Sequence, residues 1–456
     1  MQTYLQGPDA RTDHIPGTRV YRGDIPARWW ELFRSRHLNQ LVEDGIKHNP
    51  DLQAAMAAVR VAQANALIER AALFPSVSAG FDANRQRVPS QTLSSDAATG
   101  ANIFSVQTAQ VSVAFVPDIF GGTRRQIESA QAVIEMQVFE AEGVYLTLAS
   151  NIALAAIHEA SLRGQIAATR RLIEIQNQML AILRSQHERG QIALPDVVAQ
   201  ETAVAQARLL LAPLERELAQ QRNLLASLTG RFPSETIAAT FRIGSFRVPR
   251  RVPLTLPADL VRQRPDVRAA EAQLRAANAQ IGVALANRLP QIALNANAGS
   301  SALALSQLFT PGTAFWMVAG GATQAVFDAG AREQKQRAAE AATEKAAAQY
   351  RRVVTTAFQN VADVLRALQA DGRALRAAIT AETSASRNIE LVRKQVEQGQ
   401  VSIAVLLSAQ QAYLQTSLAR VQAEAAQLGD TVALFQALGG GWWNRLPPPE
   451  EVVVVQ

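Results

Sequence analysis

The chain has 456 residues, 48% hydrophobic but only 5% aromatic, with a formal net charge of +6. Much of the apolar content is alanine, which suits long helix–helix seams better than a thick mixed core. The absence of cysteine excludes disulfides, thiolate metal sites and a cysteine nucleophile, and no dense basic cluster interleaved with aromatics points to nucleic acid as a partner.

The first stretch, Met1 to Pro16, is polar and lacks the apolar core of a signal peptide, so an exported protein is expected here in processed form. Asn49-Pro50-Asp51 opens a predicted helix that runs to Leu73 and ends in Leu73-Phe74-Pro75-Ser76-Val77. From Ser76 the period changes to two. Ser76, Ser78, Gly80, Asp82, Asn84 and Gln86 alternate with Val77, Ala79, Phe81 and Ala83, the pattern of a strand with one wet and one apolar face. Ile103 to Val116 is its expected partner, in a hairpin over about 74–116, and the polar, turn-rich Pro89 to Asn102 reads as an external loop. Gly122 to Arg189 then runs without proline and with only Gly143 and Gly164 inside it, a helix of roughly 100 Å at 1.5 Å per residue. Gly190 fits a left-handed C-cap, Pro195 the first turn of the next helix, and Pro213 should bend or break that helix before it ends near Thr229.

After the connection Arg231 to Leu256, the same plan returns. Arg264-Pro265-Asp266 opens a helix to Arg288, and Gln291, Asn295, Asn297 and Gly299 alternate with Ile292, Leu294, Ala296 and Ala298. Phe315 to Phe327 is the expected return strand of a hairpin over about 289–327, with Ser306 to Thr313 as its loop. Arg332 to Gln398 is a second long helix interrupted only by Gly372; Gly399 is its expected cap, and Ser402 the N-cap of a helix reaching Leu438. Gly439-Gly440-Gly441 reads as a flexible terminator before Trp442. No run of 18 apolar residues exists, and Val452 to Val455 is far too short to span a bilayer.

The correspondence is internal duplication. Pro50 and Pro265 are 215 positions apart, as are Pro75 and Pro290; Arg125 and Arg332 are 207 apart, and Gly190 and Gly399 are 209 apart. The expected organisation is a segment 1–48, repeat 1 over 49–230, a connection 231–257, repeat 2 over 258–438 and a tail 439–456. Three stretches step by alternating fours and threes, the 3.5-residue period of a coiled-coil seam, with an ordinary bundle core as the alternative for any one of them. They are Val204-Ala207-Leu211-Leu214-Leu218-Gln221-Leu225-Leu228, Val354-Phe358-Val361-Leu365-Leu368, and Leu407-Gln411-Leu414-Leu418-Val421-Ala425-Leu428-Val432-Phe435. Two shorter helices stacked end to end match one long helix, so each repeat reads as a wall of even height, with both tips at the same end. The strands are long enough to cross a bilayer when tilted, yet four cannot enclose a pore and open edges are forbidden in lipid. Three copies give twelve strands. The competing interpretation is a pair of soluble hairpins packed on helices.

These residues resemble the outer-membrane efflux channel family, the TolC-like trimers of tripartite export pumps, and most nearly the lipoprotein branch serving resistance-nodulation-division transporters. The resemblance runs from Trp29 to Trp442 and rests on an ordered set of motifs. They are Trp29-Trp30-Glu31-Leu32-Phe33, Asn49-Pro50-Asp51-Leu52, Leu73-Phe74-Pro75-Ser76-Val77, Asp118-Ile119-Phe120-Gly121, Arg264-Pro265-Asp266-Val267, Val326-Phe327-Asp328-Ala329-Gly330 and Leu438-Gly439-Gly440-Gly441-Trp442. The resemblance implies an α+β membrane protein: a trimeric 12-stranded transmembrane β-barrel continuous with a 12-helix periplasmic α-barrel, two structural repeats per chain, and an equatorial belt from the chain ends and Arg231 to Leu256. Its implied partners are two further copies, a periplasmic adaptor (membrane fusion) protein, an inner-membrane resistance-nodulation-division pump and outer-membrane lipid. By position, Gly190, Gln191, Gly399 and Gln400 match the tips that meet the adaptor. The family's lipid-bearing N-terminal cysteine has no counterpart in this sequence. At the periplasmic gate, where relatives often carry tyrosine, leucine and aspartate, this sequence has Val396, Ala404 and Ser408, so a looser constriction, or one displaced to Val405 or Leu406, is expected.

Nothing suggests an enzyme or a cofactor. No two of His14, His37, His48, His158 and His187 have the i,i+3 or i,i+4 spacing of a helical metal pair, and His158 reads as a wall residue. Neither a Gly-x-Ser-x-Gly elbow nor a phosphate-binding loop occurs. Glu188, Asp196 and Glu397 near the tips read as solvated, with contact to adaptor arginines as the alternative. The expected function is a passive exit channel of an efflux pump carrying small molecules from periplasm to exterior. The alternatives are the channel of a type I protein-secretion system and a non-channel coiled-coil scaffold.

Overall fold

The structure is a computed structural model and describes residues 19–21, 25–87, 103–235, 237–248, 251–253 and 262–445. The predicted loop Pro89 to Asn102, the stretch Met1 to Pro16 and the valine run Val452 to Val455 lie outside the described residues. In chain order the elements are β1 (Arg19–Tyr21), α1 (Arg36–His48), α2 (Pro50–Ala71), β2 (Ser76–Arg87), β3 (Ile103–Phe115) and α3 (Gly122–Glu188). There follow α4 (Leu194–Leu209), α5 (Leu211–Leu228), β4 (Arg251–Pro253), α6 (Pro265–Ala286), β5 (Gln291–Ala302), β6 (Ala314–Thr323), α7 (Ala331–Glu397) and α8 (Ile403–Ala437). The long helices α3 and α7 have 67 residues each, and α2 and α6 have 22 each.

The chain divides into two compact units, one of 1–57, 138–268 and 351–456, the other of 58–137 and 269–350. The second unit holds one antiparallel sheet in the order β2-β3-β5-β6. Both hairpins share it because β3 pairs with β5, Ser112 opposite Asn297 and Val111 opposite Ala298. The register runs without a bulge, so face assignments carry across all four strands. Val77, Phe81, Val111, Val113, Ala296, Ala298, Trp316 and Val318 fall on one face; Ser78, Asp82, Asn84, Thr108, Gln110, Ser112, Asn295 and Asn297 fall on the other. The weak alternation of β3 is a change of chemistry near its loop end, where Phe104 and Val106 join the polar face. Among the described residues no helix covers either face: every residue of β2 is exposed and Trp316 on β6 is 79% exposed, while β3 is mostly half-buried and only Ser300 and Ala302 of β5 are buried. Among the described residues, β2 and β6 each bond to a strand on one side only.

Two boundaries of the second unit depart from expectation. The last strand stops at Thr323, and Val326 and Phe327 stand almost fully exposed beyond it. Asp328 then takes over the backbone: its carboxylate accepts from the N–H groups of Gly330 (3.0 Å) and Arg332 (3.2 Å), starting α7. Asp118 does the same for Thr123 (2.9 Å) and Arg124 (3.0 Å) at the head of α3. Ser306 to Thr313 is not an open loop. It closes through a short 3-10 turn, buries Leu308, and ties Ser300 to Thr313 at 2.6 Å. In the helical part, α3 and α6 approach closely enough for Gln280 to donate to both Gln126 (3.1 Å) and Ser129 (2.8 Å).

The first unit contains the aromatic core. Trp29 stacks on Phe435 at 5.4 Å and meets Trp30 edge-on at 5.8 Å, with Phe33, Leu38, Ile152 and Leu434 packed around them. The starts of α2 and α6 are tethered in parallel ways. Asn49 caps α2 through Asp51 N–H (2.9 Å) and Leu52 N–H (3.1 Å) while donating to the carbonyl of Leu228 at the end of α5. Arg264 grips Asp266 with two bonds (3.0 and 2.8 Å) and donates to the carbonyl of Ala437 at the end of α8.

Gly439-Gly440-Gly441 is not a flexible terminator. All three glycines are buried with φ between +66° and +90°, and a Cβ on Gly440 would stand 2.2 Å from Leu146 Cδ1. Left-handed backbone against a closed wall demands glycine there, which gives the run a packing role. The turn delivers Trp442 to the ring of Phe139 (5.6 Å) and its indole N–H to Gln263 O (2.7 Å). Pro213 does interrupt its seam: α4 ends at Leu209 and α5 begins at Leu211, because the missing N–H cannot bond to Leu209 O. All eight positions of that seam, Val204 to Leu228, are buried or half-buried. The α8 seam is buried or half-buried from Leu414 onward, but nearer the tip Gln411 is exposed, and Leu406, Ala409 and Gln410 face inward instead.

Candidate functional site at the helical tips

The two helix–turn–helix ends of the first unit are built alike. Gly190 has φ +72° and Gly399 +71°. Gly190 N–H donates to His187 O (2.8 Å) and Gln191 N–H to Gln186 O (2.9 Å); Gly399 N–H donates to Val396 O (3.0 Å) and Gln400 N–H to Gln395 O (2.8 Å). Each is a Schellman C-cap, which requires the left-handed residue that glycine supplies. Pro195 sits in the first turn of α4 as expected. Ser402 holds the N-cap position of α8, but its side chain makes no cap bond.

Below the turns, one apolar cluster joins all four helices: Met179, Leu180 and Leu183 of α3, Val197 and Val204 of α4, Ile389, Val392 and Val396 of α7, Leu406 and Ala409 of α8. The two tips therefore lie side by side. Above this cluster the packing turns polar. Gln176 donates to Gln410 (3.3 Å), and Gln200 donates to the Gln176 carbonyl (3.1 Å), all three side chains being buried. Further along, Gln422 donates to Gln165 at 3.1 Å. Arg184 with Glu201 (2.6 Å), Arg170 with Glu215 (2.7 Å) and His158 with Glu217 (3.3 Å) edge the walls.

The nine residues singled out from sequence thus separate. Gly190, Gln191, Gly399 and Gln400 are exposed at the turns. Ala404, Val405 and Ser408 are exposed on the first two turns of α8, whereas Val396 and Leu406 belong to the buried cluster. The glutamine layer escaped sequence reading because each glutamine lies on a different helix and no local spacing links them. Among the described residues, no group of three His, Cys, Asp or Glu side chains could hold a metal ion, and no helix is long and apolar enough to cross a membrane.

An uncovered two-faced sheet in one chain with paired 67-residue helices defines a TolC-like outer-membrane channel fold. The chain superposes on the outer-membrane channel OprN with a TM-score of 0.87 at 25% identity, over 96% of this chain and 99% of that one. The outer membrane protein VceC of Vibrio cholerae gives 0.82 at 24% identity, over 92% of this chain and all of that one. The chain belongs to the outer membrane efflux protein family, whose model matches residues 41–231 and 256–440. It is 30% identical over 417 residues to the pyoverdine export outer membrane protein OpmQ of Pseudomonas putida, covering 91% of this chain and 88% of the relative. It is also 30% identical over 428 residues to the toluene efflux pump outer membrane protein TtgI of the same species, covering 90% and 87%.

Proposed function

We propose that three copies of this chain close into the outer-membrane exit duct of a tripartite efflux pump. The carrying observation is the sheet: among the described residues it has four strands, two unpaired edges, one polar and one apolar face, and no helix over either. Lipid tolerates no open edge, and twelve strands from three copies close the circle with the polar face inward. Residues 49–230 and 258–438 act as two repeats whose helices contribute to a 12-helix periplasmic barrel, with 1–48, 231–257 and 439–456 forming its belt. The duct has no energy source, so transport is passive, and a resistance-nodulation-division pump and an adaptor in the periplasm supply drive and docking.

The exposed turns at Gly190-Gln191 and Gly399-Gln400 are the adaptor contacts in this reading, and Ala404, Val405 and Ser408 line the entrance. Val396 and Leu406 support that entrance from the core. The constriction is small-sided and uncharged at those three positions, so selection there is steric. Relatives named for pyoverdine and for toluene share this plan, which fits a duct indifferent to cargo chemistry. The test is direct: detergent-purified protein should have the mass of a trimer by light scattering and conduct ions in planar bilayers. A monomer without conductance would reject the reading.

A further inference from the structure

The sheet carries only three charged side chains: Asp82 on the polar face, Arg85 and Arg87 on the apolar one. Both arginines are exposed, neither has an acidic partner among the described residues, and no acid shares their face. They stand two residues apart, at the end of β2 remote from the helices, opposite Ser105 and Ile103 of β3, with Gln107 opposite Ala83 one step nearer the helices. The apolar face thus stops being apolar at its loop end: Val77, Ala79, Phe81 and Ala83 give way to Arg85 and Arg87.

Their height is informative. Nine residues separate Ser76 from Arg85, which at about 3.3 Å per residue and a tilt of about 40° raises Arg85 by roughly 23 Å, against an apolar band about 25 Å tall in such barrels. Two arginines on a lipid-facing surface are costly at the midplane and tolerated at an interface. Their planar forks match phosphate oxygens bidentately, and their aliphatic stems pack on the apolar surface below.

Resting on the barrel reading above, we infer that Arg85 and Arg87, with Ser105 and Gln107 beside them, form a binding site on the lipid-facing surface for the phosphorylated headgroup of an outer-leaflet lipid. The occupant is a lipid: its phosphates meet the arginines while its acyl chains lie along Phe81, Val77 and Val111. The site would anchor each chain at the outer rim and set the depth of the barrel.

The test uses the full-length protein in detergent micelles, with lipid A as the probe and dephosphorylated lipid A, phosphatidylcholine and inorganic phosphate as comparisons. Lipid A should raise the unfolding temperature and the three comparisons should not. In the R85Q/R87Q variant the apparent affinity for lipid A should fall roughly ten- to thirty-fold, while R85K/R87K keeps most of it. Equal binding by R85Q/R87Q and wild type overturns the site; an equal effect of inorganic phosphate shows a soluble anion in place of a lipid and overturns it too. Trp316 separates this failure from failure of the barrel. Its fluorescence, taken as the difference between wild type and W316F in vesicles, should be quenched by acyl-brominated lipid. Quenching with no arginine effect removes the headgroup site alone, and absence of quenching removes the barrel with it.

Discussion

Glu159 is 1% exposed and shows how these helix walls tolerate charge. Its carboxylate lies 2.8 Å from Arg163 on its own helix and 3.3 Å from Arg222 on α5, and Arg222 also donates to Ile237 O at 2.7 Å. Removing the carboxylate leaves two half-buried guanidiniums without a counter-charge, so Glu159→Ala should cost about 3 kcal/mol in denaturant unfolding. At Asp430 it is the carboxyl itself that is perturbed. Burial first, then the hydrogen bond and charge of Asp371, push its carboxyl up to about 6 from an ordinary 3.8. The folded chain then holds a proton that the unfolded chain has released, so this pair's contribution to stability is full below about 4 and lost as pH rises to about 6. Asp430→Asn should therefore match wild type in thermal unfolding at pH 4 and exceed it at pH 8. A variant equally shifted at both values would remove the pair from the account. Neither group was visible in the sequence, since Asp371 and Asp430 belong to different helices.

At the scale of elements, glycine is the most informative residue. Gly190 and Gly399 announce the tips because most side chains are strained at φ near +70°. Gly190→Ala and Gly399→Ala should each cost about 1 kcal/mol locally, read as faster amide exchange at 186–192 or 395–401 with the global unfolding midpoint unmoved. Gly164 acts through space: a Cβ on it would meet Val421 Cγ1 at 2.8 Å. Gly164→Val should push α8 from α3 and destabilise by about 1–3 kcal/mol. Helices, strands and turns were legible because their periods and punctuation are local. The pairing of β3 with β5, the closed turn at Leu308 and the buried glycines at 439–441 were not, because each depends on what another part of the chain brings to it. Of the site, the turns could be read from their glycines. The split between exposed Val405 and buried Leu406 could not, since adjacent residues of one helix differ only in what faces them.

For the whole molecule, the sheet makes a sharp discrimination between neighbours. Val111 and Ser112 are consecutive, yet they stand on the apolar and polar faces. In the proposed barrel, Val111→Lys should cost about 2–4 kcal/mol and reduce the amount of trimer recovered from the outer-membrane fraction. Ser112→Lys, on the polar face that the proposed barrel turns inward, should leave recovery unchanged and alter ion selectivity in bilayer recordings. Equal effects from the two would contradict the face assignment.

The same sheet has a consequence for how the protein reaches its destination. A newly exported copy carries two edge strands, β2 of 12 residues and β6 of 10, with bare hydrogen-bonding edges and a greasy surface that nothing among the described residues hides. Until membrane and, in the proposed trimer, sister copies cover them, those features invite indiscriminate sticking between nascent molecules. Safe delivery across the periplasm therefore calls for an escort that shields the strands but leaves the helices free to fold, and production that outruns the escort should end as aggregate.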